Sequence, residues 1–216
     1  MNIYGASWPR PRVAIGTTTP LSHILVSTLL VVALNTIALT AWWFGRGVEF
    51  ALEYGPMEQT QLFLLAISLI LFGCAWYTAE GPEKTASGAL AMLCAAGFVR
   101  EIDVKKLNGP DWYNWIAHQG LQEVLFVGMT VPILWYLFQR RNHWMGLLRL
   151  LAAPSAIPLF VAGAFLLAGE YFDSQVVVGT RYMFWEEFFE LNGYLFLLLS
   201  AWNHWLIIQR RRCTPA

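Results

Sequence analysis

Six apolar runs, at Leu21–Phe44, Gln61–Ala79, Ala86–Val99, Gly120–Phe138, Leu150–Gly169 and Phe188–Ile208, set the limits on what this chain can fold into. A bilayer core of about 30 Å is crossed by roughly 20 helical residues, and all but the third run reach that length. In hydrocarbon every backbone polar group must find its partner inside the segment, so runs of this kind read as helices. Composition agrees: 57% hydrophobic against 13% charged residues lies outside the norm for soluble domains. The expected fold is therefore all-α, a polytopic membrane helix bundle with six transmembrane helices over residues 21–209. A cytoplasmic segment, residues 1–20, precedes it, and a basic cytoplasmic tail, residues 210–216, follows. The third run becomes long enough only if its helix continues through Arg100, Glu101, Ile102 and Asp103, which would carry charge into the membrane.

Orientation follows from the basic residues. With six spans, Arg10, Arg12, Lys84, Arg140, Arg141, Arg149 and Arg210–Arg212 share one side, while Arg46, Arg100, Lys105, Lys106 and Arg181 share the other. The first side is the richer and is expected to be cytoplasmic, with both termini inside. Of the acidic residues only Glu80 and Glu83 lie there, so the remainder gather at or near the outer face. The formal net charge of zero gives no pull toward nucleic acid. The apolar run after residue 20 is too long for a signal-peptide core, so the N-terminal segment is expected to be retained. Cys74, Cys94 and Cys213 form no CxxC or Cys/His spacing and imply neither a disulfide framework nor a zinc site.

Depth along each helix can be counted at about 1.5 Å per residue. Asn35 is then roughly 23 Å above the inner end of the first run, Glu101 roughly 24 Å up the third, Glu123 about 23 Å up the fourth and Glu190 about 28 Å up the sixth. Four helices thus place polar groups in one layer of the outer leaflet. A charge in hydrocarbon costs about 2.5–3.5 kcal/mol on insertion scales, so such groups face the bundle interior and pair. Arg100 is the natural counter-ion, and one arginine cannot neutralise every acid. Glu187 and Glu190, or Glu186 and Glu190, share a helix face by spacing. Between the third and fourth runs, Asp111 to Glu123 reads as a short interfacial helix with its aromatics at headgroup level, and His118 shares a face with Gln122. His23, His143 and His204 fall near the cytoplasmic edge and read as interfacial rather than as haem ligands. Pro132 and Pro158 are expected to kink the fourth and fifth helices. Gly88, Gly97, Gly128 and Gly163 are expected to admit close helix approach.

Gln122 to Gly128 departs from the Glu-Glu-x-x-x-Arg motif of CAAX-type intramembrane proteases, having glutamine at the first acid and valine at the arginine position. Arg100-Glu101-Ile102-Asp103 together with Glu186-Glu187-Phe188-Phe189-Glu190-Leu191 resembles uncharacterised bacterial polytopic inner-membrane proteins that pair Arg-Glu-aliphatic-Asp with Glu-Glu-x-x-Glu. The resemblance implies a multi-pass protein of the bacterial inner membrane and brings no activity with it.

The acidic layer points first to an enzyme that binds a divalent metal ion and acts on a lipid or lipid-linked substrate at the outer leaflet. Glu101, Asp103, Glu187 and Glu190 are the expected metal ligands, since oxygen donors suit hard cations. Glu123 is the expected general base, His118 a proton carrier or further ligand, and Arg100 the group that orients a carboxylate or holds a phosphate. Two alternatives use the same residues differently. A proton- or cation-coupled transporter would use the acids as its ion site, with a small molecule as cargo. A non-catalytic assembly subunit would use them only to join helices.

Overall fold

A computed structural model of the protein describes residues 21–51, 55–101, 121–174 and 180–213. Among the described residues there is no strand. The α-helices are α1 (Leu21–Trp43), α2 (Gly47–Ala51), α3 (Pro56–Thr78), α4 (Gly81–Glu101), α5 (Leu121–Gln139), α6 (Trp144–Leu151), α7 (Ile157–Ser174) and α8 (Thr180–Cys213). Single 3-10 turns precede α6, at Arg141–His143, and α7, at Pro154–Ala156. Local sequence explains the boundaries. Gly45, at φ +74°, reverses the chain after α1, a conformation that costs other residues a steric clash. Pro56 opens α3 at a position where a missing N–H is harmless.

Four stretches, Leu25–Trp43, Gly47–Thr78, Pro154–Phe172 and Tyr182–Arg212, are long and apolar enough to cross a membrane, as expected of a membrane protein. The structure revises three sequence expectations. The third helix does reach Arg100 and Glu101, but it gains its 21 residues by starting early, at Gly81. The fifth run, Leu150–Gly169, is not one helix: it breaks over Ala152–Ala156 between α6 and α7. Pro158 therefore lies in the first turn of α7, where proline is tolerated, and only Pro132 sits inside its helix. The expected interfacial helix lies outside the described residues up to Gly120; Leu121 already belongs to α5.

The 34-residue α8 is the centre of the bundle. Within the apolar windows, 61% of Tyr182–Arg212 is buried against 6% of Leu25–Trp43. Helices α3 and α7 pack along α8, α4 packs on α3, and α5 and α6 lie against α4. α1 and α2 complete the far side of α8. Fully buried Leu65 and Phe72 of α3 and Phe184 and Leu195 of α8 belong to one core cluster, Phe184 stacking on Trp42 of α1. Where lipid replaces water, close packing rather than apolar burial holds such helices together. Small residues make it possible: a Cβ at Gly193 would lie 2.6 Å from Leu166 Cγ, and one at Gly88 would lie 2.8 Å from the Tyr136 hydroxyl. Gly97 is a looser contact, 3.4 Å from Leu65. Gly128 and Gly163 face open space, so they do not serve the close approach expected of them.

Candidate functional site

The N-terminal half of α8 displays Glu187, Glu190 and Tyr194 at spacings of three and four, which puts them on one helical face. That face turns toward α3, α4 and α7. Arg100, in the last turn of α4, sends Nη2 to Glu190 Oε1 at 3.0 Å and to Glu170 Oε2 of α7 at 3.2 Å. Glu190 is buried, with 4% of its surface exposed, whereas the Glu170 side chain is 62% exposed. The fork is thus anchored on its inner arm and open on its outer one. Gly169 makes room for the inner arm, since a Cβ there would lie 2.8 Å from Glu190 Cγ.

Next to Arg100 on α4, Glu101 accepts a 2.5 Å hydrogen bond from the buried Tyr194 hydroxyl. On the α3 side, Gln61 Nε2 donates to Glu187 Oε2 at 2.8 Å and to the Glu187 carbonyl at 3.1 Å. Gln61 is fully enclosed, yet its Oε1 has no hydrogen-bond partner among the described residues. A buried acceptor left without a donor costs about 1–3 kcal/mol, so such atoms call for a water, a proton-bearing group or an ion. On the opposite flank of α8, Asn35 and Asn192 exchange hydrogen bonds at 2.8 and 3.0 Å, and each also bonds the carbonyl one turn back on its own helix. Five helices, α1, α3, α4, α7 and α8, therefore meet in one polar layer.

The expected site residues divide into two groups. Arg100, Glu101, Glu187 and Glu190 come together at one end of the bundle, though in separate pairs. Asp103 and His118 lie outside the described residues, and Glu123 is placed on α5 with its side chain likewise outside them. Among the described residues, no group of three or more His, Cys, Asp or Glu could hold a metal ion. Sequence reading missed Gln61, Glu170, Asn192 and Tyr194. Tyr194 had a usable signal, being four residues beyond Glu190 and so on the same face. Gln61 and Glu170 sit at the ends of apolar runs, where polar residues are unremarkable.

The other end of the bundle is built differently. Thr85 and Ser87 of α4 bond His143 and His204, each at 2.7 Å, and Arg211 of α8 pairs with Glu83. These are hydroxyl–imidazole pairs and one matched ion pair, with no surplus of either charge in the contacts themselves.

No protein-family model, curated protein or solved structure matches the chain.

Proposed function

We propose that the chain is a six-span inner-membrane protein, both termini cytoplasmic, that couples movement of a small solute to a proton or inorganic cation held in the acidic layer. The carrying observation lies at one end of α8, where among the described residues Glu101, Glu170, Glu187 and Glu190 gather with one guanidinium, Arg100, and with Gln61, whose Oε1 has no described hydrogen-bond partner. Of these acids Glu190 is buried and Glu101 and Glu187 are half-buried, and carboxylates so placed in excess over the described cations favour added positive charge, which the Gln61 oxygen is positioned to help hold. Six helices have 18 residues or more, α4 and α5 joining the four that hold the membrane-length apolar stretches, and in this reading they are the spans. Among the described residues no three acids are placed to hold one metal ion, which favours an ion-coupling layer over a catalytic metal centre. A metal centre would draw on Asp103, His118 and Glu123.

The test is charge displacement by the full chain in proteoliposomes on a solid-supported membrane, after jumps of pH or of Na+. Wild type is expected to give a transient current that Glu190→Gln and Glu187→Gln abolish. Electrical silence under both jumps, with a stoichiometric metal ion retained through purification, would overturn this reading in favour of the metal-dependent enzyme. Silence without metal, and cellular function retained after all four acids are neutralised, would favour an assembly subunit.

A further inference from the structure

Away from the acidic layer, α6 has three faces. Leu147 and Leu150 turn into the bundle, where Gly146 packs so closely on Pro82 that a Cβ would lie 2.3 Å from Pro82 Cγ. Trp144, Met145, Leu148 and Leu151 are exposed on a second, apolar face. Arg149 is exposed on a third, and Arg140 and Arg141 are exposed immediately before the helix. None of these three arginines makes an ion pair among the described residues; Arg141 lies 5.8 Å from the Phe138 ring centroid. Arg141 lies in the 3-10 turn before α6 and Arg149 in its last turn, about 12 Å apart along the chain at helical rise. Beneath α6 is a cavity of about 180 Å³, walled mainly by Leu147, Leu150 and Leu151 with Ala89, Leu90 and Leu159.

We infer that this corner of the molecule binds an anionic phospholipid, its phosphate held by Arg141 and Arg149 and one acyl chain lying in the cavity beneath α6. Two observations have to be met together. A soluble anion would satisfy the arginines and leave the apolar cavity unused, while a zwitterionic lipid would fill the cavity but bring its own ammonium beside its phosphate and leave the arginines without net counter-charge. An anionic phospholipid meets both, and Trp144 then stands at headgroup level beside it. The inference rests on the protein being membrane-embedded and is independent of the acidic layer.

Native mass spectrometry of the detergent-solubilised full chain tests it, titrating phosphatidylglycerol against phosphatidylcholine with identical chains. The anionic lipid is expected to bind about thirtyfold more tightly, each arginine contributing roughly fivefold. Arg141→Gln with Arg149→Gln should erase that preference. Ser155→Phe, at the exposed rim of the cavity, should weaken both lipids several-fold while leaving the preference intact. Equal affinity for the two lipids, an unchanged preference in the double variant, or glycerol phosphate binding as tightly as phosphatidylglycerol would each overturn the inference.

Discussion

The two ends of α8 solve the problem of polar groups in a helix bundle in opposite ways. At the basic end, each polar side chain has one partner of matching character: Ser87 with His204, Thr85 with His143, Glu83 with Arg211. At the acidic end, Arg100 is shared by two carboxylates, Glu187 leans on an amide, and Glu101 leans on a phenol. Pairs can be deleted one at a time, whereas a shared guanidinium cannot. The first pattern is what helix joining requires. The second holds more negative charge than joining needs, which is why the ion-binding reading is placed there.

That contrast is broken or sharpened most severely by Arg100→Leu. It strands Glu190 in the interior, and removing one partner of a buried pair costs about 3–5 kcal/mol, here expected near the lower figure because Arg100 keeps some exposure. Thermal unfolding in detergent should show the loss, and Arg100→Leu combined with Glu190→Leu should recover most of it. If the single variant unfolds like wild type, the shared-guanidinium description is wrong.

Next in size is packing beside the acidic layer. Gly193→Val should cost about 1–3 kcal/mol by overpacking against Leu166 and the Ala162 carbonyl. Gly163→Ala, with nothing within 4 Å, should be neutral or gain up to about 1 kcal/mol from helix propensity. The same unfolding assay ranks the two, and equal effects would mean that α7 and α8 do not meet at Gly193.

The Asn35–Asn192 pair should show a coupling energy of about 0.6 kcal/mol, and no more than about 1.7, in a double-mutant cycle with leucine. Of similar size, Ser87→Ala and Thr85→Ala should each cost about 1 kcal/mol or less. Combined, they should add, because the pairs share no partner. Strong non-additivity at that end would erase the distinction drawn between the two.

How much of this was legible beforehand depends on which coordinate of a helix is asked about. Depth follows from counting residues, and it placed Asn35, Glu101 and Glu190 in one layer, where the structure finds their partners Asn192, Tyr194 and Arg100. Rotation about each axis does not follow from counting. Arg100 was read as the counter-ion of Glu101, Glu123 or Glu190 without a way to choose. It selects Glu190 together with Glu170, an acid that looked like an ordinary helix end. The glycines divide for the same reason: Gly88 and Gly97 meet neighbours as expected, Gly128 and Gly163 meet none among the described residues, and Gly169 and Gly193, which counting did not single out, point into them. Apolar character also conceals breaks. Leu150 to Gly169 is uniformly hydrophobic enough to read as one span, and only Pro154, which opens the 3-10 turn, betrays the division between α6 and α7.

The length of α8 has one more consequence. At about 1.5 Å per residue its 34 residues make a rod of about 51 Å, well beyond the roughly 30 Å of a hydrocarbon core. The tight seat of Gly193 on α7 divides it into arms of about 20 Å toward Thr180 and about 30 Å toward Cys213. A stiff rod tilting on that seat swings its two tips in opposite senses, and the longer arm travels half as far again as the shorter. A displacement of Glu187, about 9 Å from the seat on the short arm, is thereby delivered about threefold enlarged to Arg211, about 27 Å from it at the other end of α8.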